Sequence, residues 1–146
     1  MAPIKLRAPM KDDSAFIYNS WLKSYRNSDF AKSQCNTVYY DNHKEVLTGL
    51  LTRSLVVVAC NPEDENHVFG YLVYEELPGS NTLVHYAYVK HTYRRSGIAK
   101  QMLDTVRKSK NPILVSHLTP ICKATKSVVY IYDPYKMFEN IYLGPT

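Results

Sequence analysis

Cysteine and glycine are both scarce in this chain, at three and five residues out of 146. Cys35, Cys60 and Cys122 are odd in number and lack the spacing of metal ligands. That argues against a disulfide framework or a zinc site and for a reducing, cytoplasmic setting. No metal is expected. The glycines never fall into a Gly-x-Gly-x-x-Gly fingerprint or a Walker loop, which removes the usual dinucleotide and P-loop readings. Long apolar runs are missing too. The longest, Leu55-Val-Val-Val-Ala-Cys60, is far too short to span a bilayer, and the N-terminus shows no apolar signal core. No membrane partner is expected.

What is present suits one domain over residues 1–146, with 45% hydrophobic and 21% charged residues. Tyrosine is abundant, at 13 copies. A tyrosine buries a ring but needs a partner for its hydroxyl, so the excess points to sheet faces, a cleft lining or an interface. The net charge of +5 is unevenly placed. Lys90, Arg94, Arg95, Lys100, Arg107, Lys108 and Lys110 face only Asp104 in residues 90–110. Such a patch meets phosphates or forms a solvated helix face. A nucleic-acid module rests on this charge alone and is the weakest reading.

The periodicity predicts a short strand over residues 4–7, then a helix capped by Asp12, Asp13 and Ser14 and carrying Phe16, Ile17, Trp21, Leu22 and Tyr25 on its apolar face. Residues 27–40 read as polar and irregular. Asn42 and Glu45 resemble a capping box before a second helix with Val46, Leu47, Leu50 and Leu51. Strands follow over residues 55–60, 68–76 and 82–90, with turns at 61–66 and 78–81. A helix runs to about residue 109, and residues 113–117 form a fifth strand. The order β, α, α, β, β, β, α, β is that of an α+β fold with a mixed sheet.

Between the fourth strand and the third helix lies the most informative segment, Arg94-Arg-Ser-Gly-Ile-Ala99. The loop offers unpaired backbone N–H groups at the positive end of a helix. Gly97 lets the backbone approach a ligand closely, and Ala99 keeps the next turn clear. By the logic of helix N-termini this is a pyrophosphate cradle. Arg-x-x-Gly-x-Ala after a strand ending in Val also resembles motif A of the GNAT superfamily, the acyl-CoA-dependent N-acyltransferases. Arg94, Gly97 and Ala99 fill its signature positions, and the element order agrees along nearly the whole chain.

The resemblance implies a GNAT-like mixed central sheet flanked by helices, with acetyl-CoA as co-substrate and an amine acceptor that is a small molecule or a protein. It implies that Ala87, Tyr88 and Val89 line the pantetheine arm, and that Val89 presents its backbone N–H to the thioester carbonyl. Arg94, Arg95, Ser96, Gly97, Ile98 and Ala99 then hold the phosphates. The acceptor pocket would come from residues 27–40 and the tail. The short, tyrosine-rich, basic form also looks like GNAT proteins of tailed bacteriophages, which would act in the host cytoplasm.

The chemistry asks for a base, because a lysine-type amine has a pKa of about 10.4, and for a proton near the leaving thiolate, whose pKa is about 8.5. Alternation puts Leu83, His85, Ala87 and Val89 on one face, making His85 the candidate base. Glu75 and Glu76 are the other choice. Tyr130 takes the acid position of the family, with Tyr132 and Tyr135 as competitors. The family's tail pattern is otherwise poorly matched: residues 128–132 favour strand, and only residues 136–142 remain for a last strand, which is shortened or lost. That leaves an edge beside Met137, Phe138, Ile141, Tyr142 and Leu143, so residues 135–143 are expected to pair with a second copy or a partner protein. A GNAT-fold binding protein, acting by contact with another protein, is therefore the alternative to the enzyme.

Overall fold

The structure is a computed structural model and describes residues 3–138. Its elements are β1 (Lys5–Arg7), α1 (Asp13–Tyr25), α2 (Asp29–Lys32), α3 (Asn36–Arg53), β2 (Leu55–Asn61), β3 (Asp64–Leu77), β4 (Asn81–Val89), α4 (Ile98–Val106), β5 (Ile113–Val115), α5 (Pro120–Ala124) and β6 (Tyr130–Tyr132). The strands form one six-stranded sheet in sequence order. β1 to β4 run as an antiparallel meander. β5 and β6 then add in parallel, because each is reached by a crossover rather than a hairpin.

Helices cover both faces. On one, α1 and α3 bury Trp21, Tyr25, Tyr39, Leu47 and Leu50 against Tyr71, Val73 and Tyr86. On the other, α4 buries Ile98, Met102, Leu103 and Val106 against Leu72, Val84, Ala87, Val89 and Val115. α1 is fixed to β1 by the buried pair of Arg7 and Asp13, 2.7 Å apart. Burial would push the Asp13 carboxyl up, but Arg7 and the Met10 N–H hold it below the ordinary range.

Residues 27–40 are not irregular. Ser28 caps α2, its Oγ accepting from Ala31 N–H at 3.2 Å. The Arg26 guanidinium ties the segment together, donating to Ala31 O, Gln34 O and Asn36 Oδ1. α3 starts at Asn36 behind an extended Cys35, well before the expected Asn42 cap. Its buried stripe continues backwards from Leu50, Leu47 and Val46 through His43 and Tyr39. A histidine and a tyrosine do not register as apolar in a periodicity count, so the first two turns were hidden. α4 stops at Val106, short of the expected residue 109; Arg107 turns extended and donates to Asn111 O.

In the tail, the β-branched and aromatic residues before Asp133 form β6 in line with their strand preference, pairing Tyr130, Ile131 and Tyr132 with β5; residues 139–142 of the expected last strand lie outside the described residues. A 3-10 turn, Pro134–Met137, follows. Met137 is buried, and the partly buried Phe138 packs against the α1/α3 core. Tyr135 is exposed. Ile141, Tyr142 and Leu143 lie outside the described residues.

Candidate active site

β4 and β5 are joined only at Leu83–Leu114 and Val84–Val115, with Ser116 N–H bonding Val84 O at 3.2 Å just beyond. From there the strands part. β4 runs on to Val89 while the other chain leaves toward α5, and a wedge-shaped gap opens between them. Which amides face the gap follows from the β3–β4 ladder. Lys90 N–H bonds Phe69 O, and Val89 pairs with Gly70 in register. In an antiparallel ladder hydrogen-bonded and non-bonded pairs alternate, so the N–H groups of Ala87 and Val89 point away from β3, into the gap. Gly70 permits this packing: a Cβ there would lie 2.4 Å from Tyr88 O. A lone glycine in a strand is the signal that would have singled it out.

Past Val89 the chain makes a 3-10 turn, His91–Tyr93, and the basic loop. Arg94 folds back, its Nε donating to Val89 O at 2.8 Å and its guanidinium 5.9 Å from the Tyr88 ring centroid. It braces the strand end. Arg95 and Gly97 both have positive φ, 65° and 82°. This reverses the chain into α4, with Ser96 Oγ bonded to Tyr93 O. The first helical bond is Gln101 N–H to Gly97 O, which leaves the amides of Ile98, Ala99 and Lys100 without an in-helix partner. The gap amides of Ala87 and Val89 are thus followed along the chain by the amides left without an in-helix partner at the start of α4.

The candidate base is elsewhere than alternation predicts. A bulge interrupts the β3–β4 register between Val73 and Tyr74, where Val84 and Tyr86 are opposed to consecutive β3 residues. His85 is the extra residue, and the bulge reverses the face on which it lies. Val84, Ala87 and Val89 all pack toward α4, whereas His85 turns to Glu75, which is bonded to Arg53 of α3 at 3.1 Å. His85 is fully buried. Its Nε2 lies 2.6 Å from Glu75 Oε2 and its Nδ1 2.6 Å from Ser116 Oγ. Ser116 Oγ is 2.8 Å from His117 Nδ1, and His117 Nε2 is 3.0 Å from His43 Nε2.

The result is a buried chain of five polar side chains. The hydrogen bond from His85, aided by Arg53, holds the Glu75 carboxyl below its ordinary range against the effect of burial. Burial lowers His43 to about 4 and His117 well below the usual histidine range, the latter also through the neighbouring histidines. Both rings are therefore neutral near pH 7. Ser116, His117 and His43 were not visible as a group in the sequence, because they lie on two elements and only the bulge brings His85 to them. Glu76 points away, toward Lys108.

Tyr130 is also displaced from its expected role. Its ring packs with the α4-side core, and its buried hydroxyl has no hydrogen-bond partner among the described residues. Burial, with Cys122 nearby, pushes it up to about 12. Tyr132, one of its two competitors for that role, lines a cleft instead. A cleft of about 240 Å³ opens beside the β4–β5 gap, lined by Tyr25, Ser28, Asp29, Tyr86, Lys123 and Tyr132 among others. Tyr25 is almost fully buried yet its hydroxyl has no partner among the described residues. Burial raises its pKa far above the ordinary value, with Tyr132 and Ser28 as polar neighbours, so it keeps its proton. His91 is exposed.

No protein-family model matches the chain, and no curated protein does. Solved structures do. An acetyltransferase candidate from Bacillus subtilis, YycN, aligns with a TM-score of 0.58 over 99% of this chain and 94% of that one, at 16% identity. An acetyl transferase candidate from Pyrococcus furiosus aligns with a TM-score of 0.55 over 99% and 93%, at 14% identity. A GNAT-family acetyltransferase from Staphylococcus aureus Mu50 aligns with a TM-score of 0.47 at 16% identity, over 71% of this chain and 63% of that one, so the match spans less than two thirds of that relative. At such identities the likeness concerns architecture: the chain has the α+β fold of the GNAT acetyltransferases, a mixed six-stranded sheet flanked by helices.

Proposed function

We propose that this protein is an acetyl-CoA-dependent N-acetyltransferase. The observation that carries the reading is two sets of backbone donors without a strand or helix partner, Ala87 and Val89 in the β4–β5 gap and Ile98 and Ala99 at the start of α4. An acetyl thioester laid along β4 would set its carbonyl oxygen at the Val89 amide, the donor that stabilises charge developing on that oxygen. Its pyrophosphate would meet the loop amides and Arg95. The amine nitrogen bonds to the acetyl carbon, the C–S bond breaks, coenzyme A leaves as the thiolate, and the nitrogen's proton passes to water through the open cleft. Tyr132, rather than the buried Tyr130, stands at the open cleft where a hydroxyl could reach the reacting groups.

One observation favours a second reading, in which the chain holds acetyl-CoA and acts on another protein by contact. Both His85 and Tyr130, the expected base and acid, are shut away from the gap.

Calorimetry tests the placement. Acetyl-CoA should bind in the micromolar range, about −8 kcal/mol. Gly97→Asp places a side chain at a φ of 82° and a negative charge before the phosphates, and should weaken binding about 100-fold. Unchanged affinity in that variant would falsify the placement. Release of free coenzyme A with a panel of amines then separates enzyme from binder.

A further inference from the structure

Val89 turns both of its backbone groups toward the β4–β5 gap. Lys90 N–H bonds Phe69 O on the β3 side, and in an antiparallel ladder the N–H and C=O of one residue point the same way and alternate from residue to residue. The Val89 N–H has no strand partner in the gap. The Val89 C=O is occupied: Arg94 Nε donates to it at 2.8 Å. An acyl-pantetheine arm laid along β4 carries the groups of a strand. Its thioester carbonyl accepts from the Val89 N–H, and its first amide N–H, a few bonds further on, needs an acceptor on the same edge. Val89 O is that acceptor in ladder order, and Arg94 already holds it.

Arg94 is lightly held there. It is exposed and forms no ion pair among the described residues. Its other contact is the Tyr88 ring, 5.9 Å from the guanidinium carbon, near the outer limit of a cation–π interaction. It also opens the loop that leads to the partnerless amides of Ile98 and Ala99. A pyrophosphate bound at those amides brings negative charge beside a cation that lacks any.

We propose that Arg94 is a gate on the acyl-CoA groove: in the free protein it caps Val89 O, and acetyl-CoA displaces it from that oxygen and draws its guanidinium onto the pyrophosphate. The gate rests on the acetyltransferase reading for the identity of the arm. It makes the phosphates a condition of entry as well as an anchor. A neutral arm must displace the cap and gives the guanidinium nothing in return, so the groove discriminates against thioesters that lack phosphate.

Calorimetry on the full chain tests this with acetyl-CoA and with S-acetylpantetheine, the same arm without phosphates. Two variants separate the cap from the charge. Arg94→Ala has neither. Arg94→Gln keeps an N–H donor at the place of Nε, and so the cap, but carries no charge. S-acetylpantetheine should bind Arg94→Ala about fivefold more tightly than the unaltered chain, through release of one competing hydrogen bond. It should bind Arg94→Gln no more tightly than the unaltered chain. Acetyl-CoA should be weakest with Arg94→Gln, about 25-fold below the unaltered chain for the lost charge-assisted contact. With Arg94→Ala the loss should be only about fivefold, because the cap is gone as well.

Unchanged or weaker binding of S-acetylpantetheine by Arg94→Ala, or an equal loss of acetyl-CoA affinity in the two variants, would overturn the gate. If acetyl-CoA still binds the unaltered chain in that case, Arg94 is a brace for the strand end and the acetyltransferase reading stands. If neither ligand binds the unaltered chain or either variant, both the gate and that reading fall.

Discussion

The two faces of the sheet are built from different chemistry. The α4 face is nearly all aliphatic: Leu72, Val84, Ala87, Val89, Ile98, Met102, Leu103 and Val106, with Phe69 as its buried aromatic ring. The α1/α3 face holds Trp21, Tyr25, Tyr39, Tyr71 and Tyr86, and the polar chain from Glu75 to His43 runs beside them. Trp21 stacks on Tyr86 at 5.1 Å, and Tyr25 lies 4.5 Å from the His117 ring. An aliphatic face needs only volume and shape, and it anchors the start of α4 after the end of β4, beside the basic Arg94–Ala99 loop. A face of phenols and imidazoles must also satisfy its hydrogen bonds. Most are satisfied internally, while the Trp21 Nε1 and the Tyr25 hydroxyl are buried without a partner among the described residues. Under the acetyltransferase reading, the aliphatic face is the one that would set the cofactor loop.

Three substitutions or conditions would break or sharpen this contrast. The largest effect is expected on the aliphatic face. Met102 is fully buried, and Met102→Ala should cost about 2–5 kcal/mol of stability, with a matching loss of acetyl-CoA affinity as α4 loosens. Urea unfolding and calorimetry would show both; a loss below about 1 kcal/mol would mean that α4 is not the anchor supposed here.

The polar face should instead respond to acid. The unfolded chain protonates His43 near pH 6.5, whereas the folded chain resists until about 4. Stability from this group is therefore complete above pH 6.5 and drains as pH falls toward 4, by about 2 kcal/mol at pH 5. His117 acts in the same direction. Thermal melts between pH 7 and 5 should show the decline, and His43→Leu should flatten it. An equally steep decline in that variant would place the acid sensitivity elsewhere.

The smallest change concerns His85. Removing it leaves Glu75 to Arg53 and Ser116 to His117, so His85→Ala should cost about 1–3 kcal/mol for the polar atoms left short of partners. Because the ring is closed off from the gap, acetyl transfer at saturating substrate should fall by no more than about tenfold, and acetyl-CoA affinity should hold. A fall of about 10²–10⁴ would restore His85 as the general base.

Local chemistry made much of this legible in advance. The alternating and 3.6-residue patterns placed the meander, α1 and α4, and Arg94, Gly97 and Ala99 announced the turn that Gly97 makes at a φ of 82°. Those features depend on neighbours in the chain, so a window of residues contains the cause. The face occupied by His85 did not, because a single bulge opposite Val73 and Tyr74 reverses the pleat for everything upstream of it. The first turns of α3 were hidden because Tyr39 and His43 are buried only when Tyr25 and His117 arrive to pack on them. Tyr130 and Tyr132 differ by two positions in the sequence, yet one hydroxyl enters the α4-side core and the other residue lines the cleft. By itself the sequence determined the meander, α1, α4 and the Arg94–Ala99 turn, whose physics is backbone conformation within a few residues. The cleft beside the β4–β5 gap and the buried histidine chain were decided by the tertiary structure, because each needs side chains far apart in sequence to share one space.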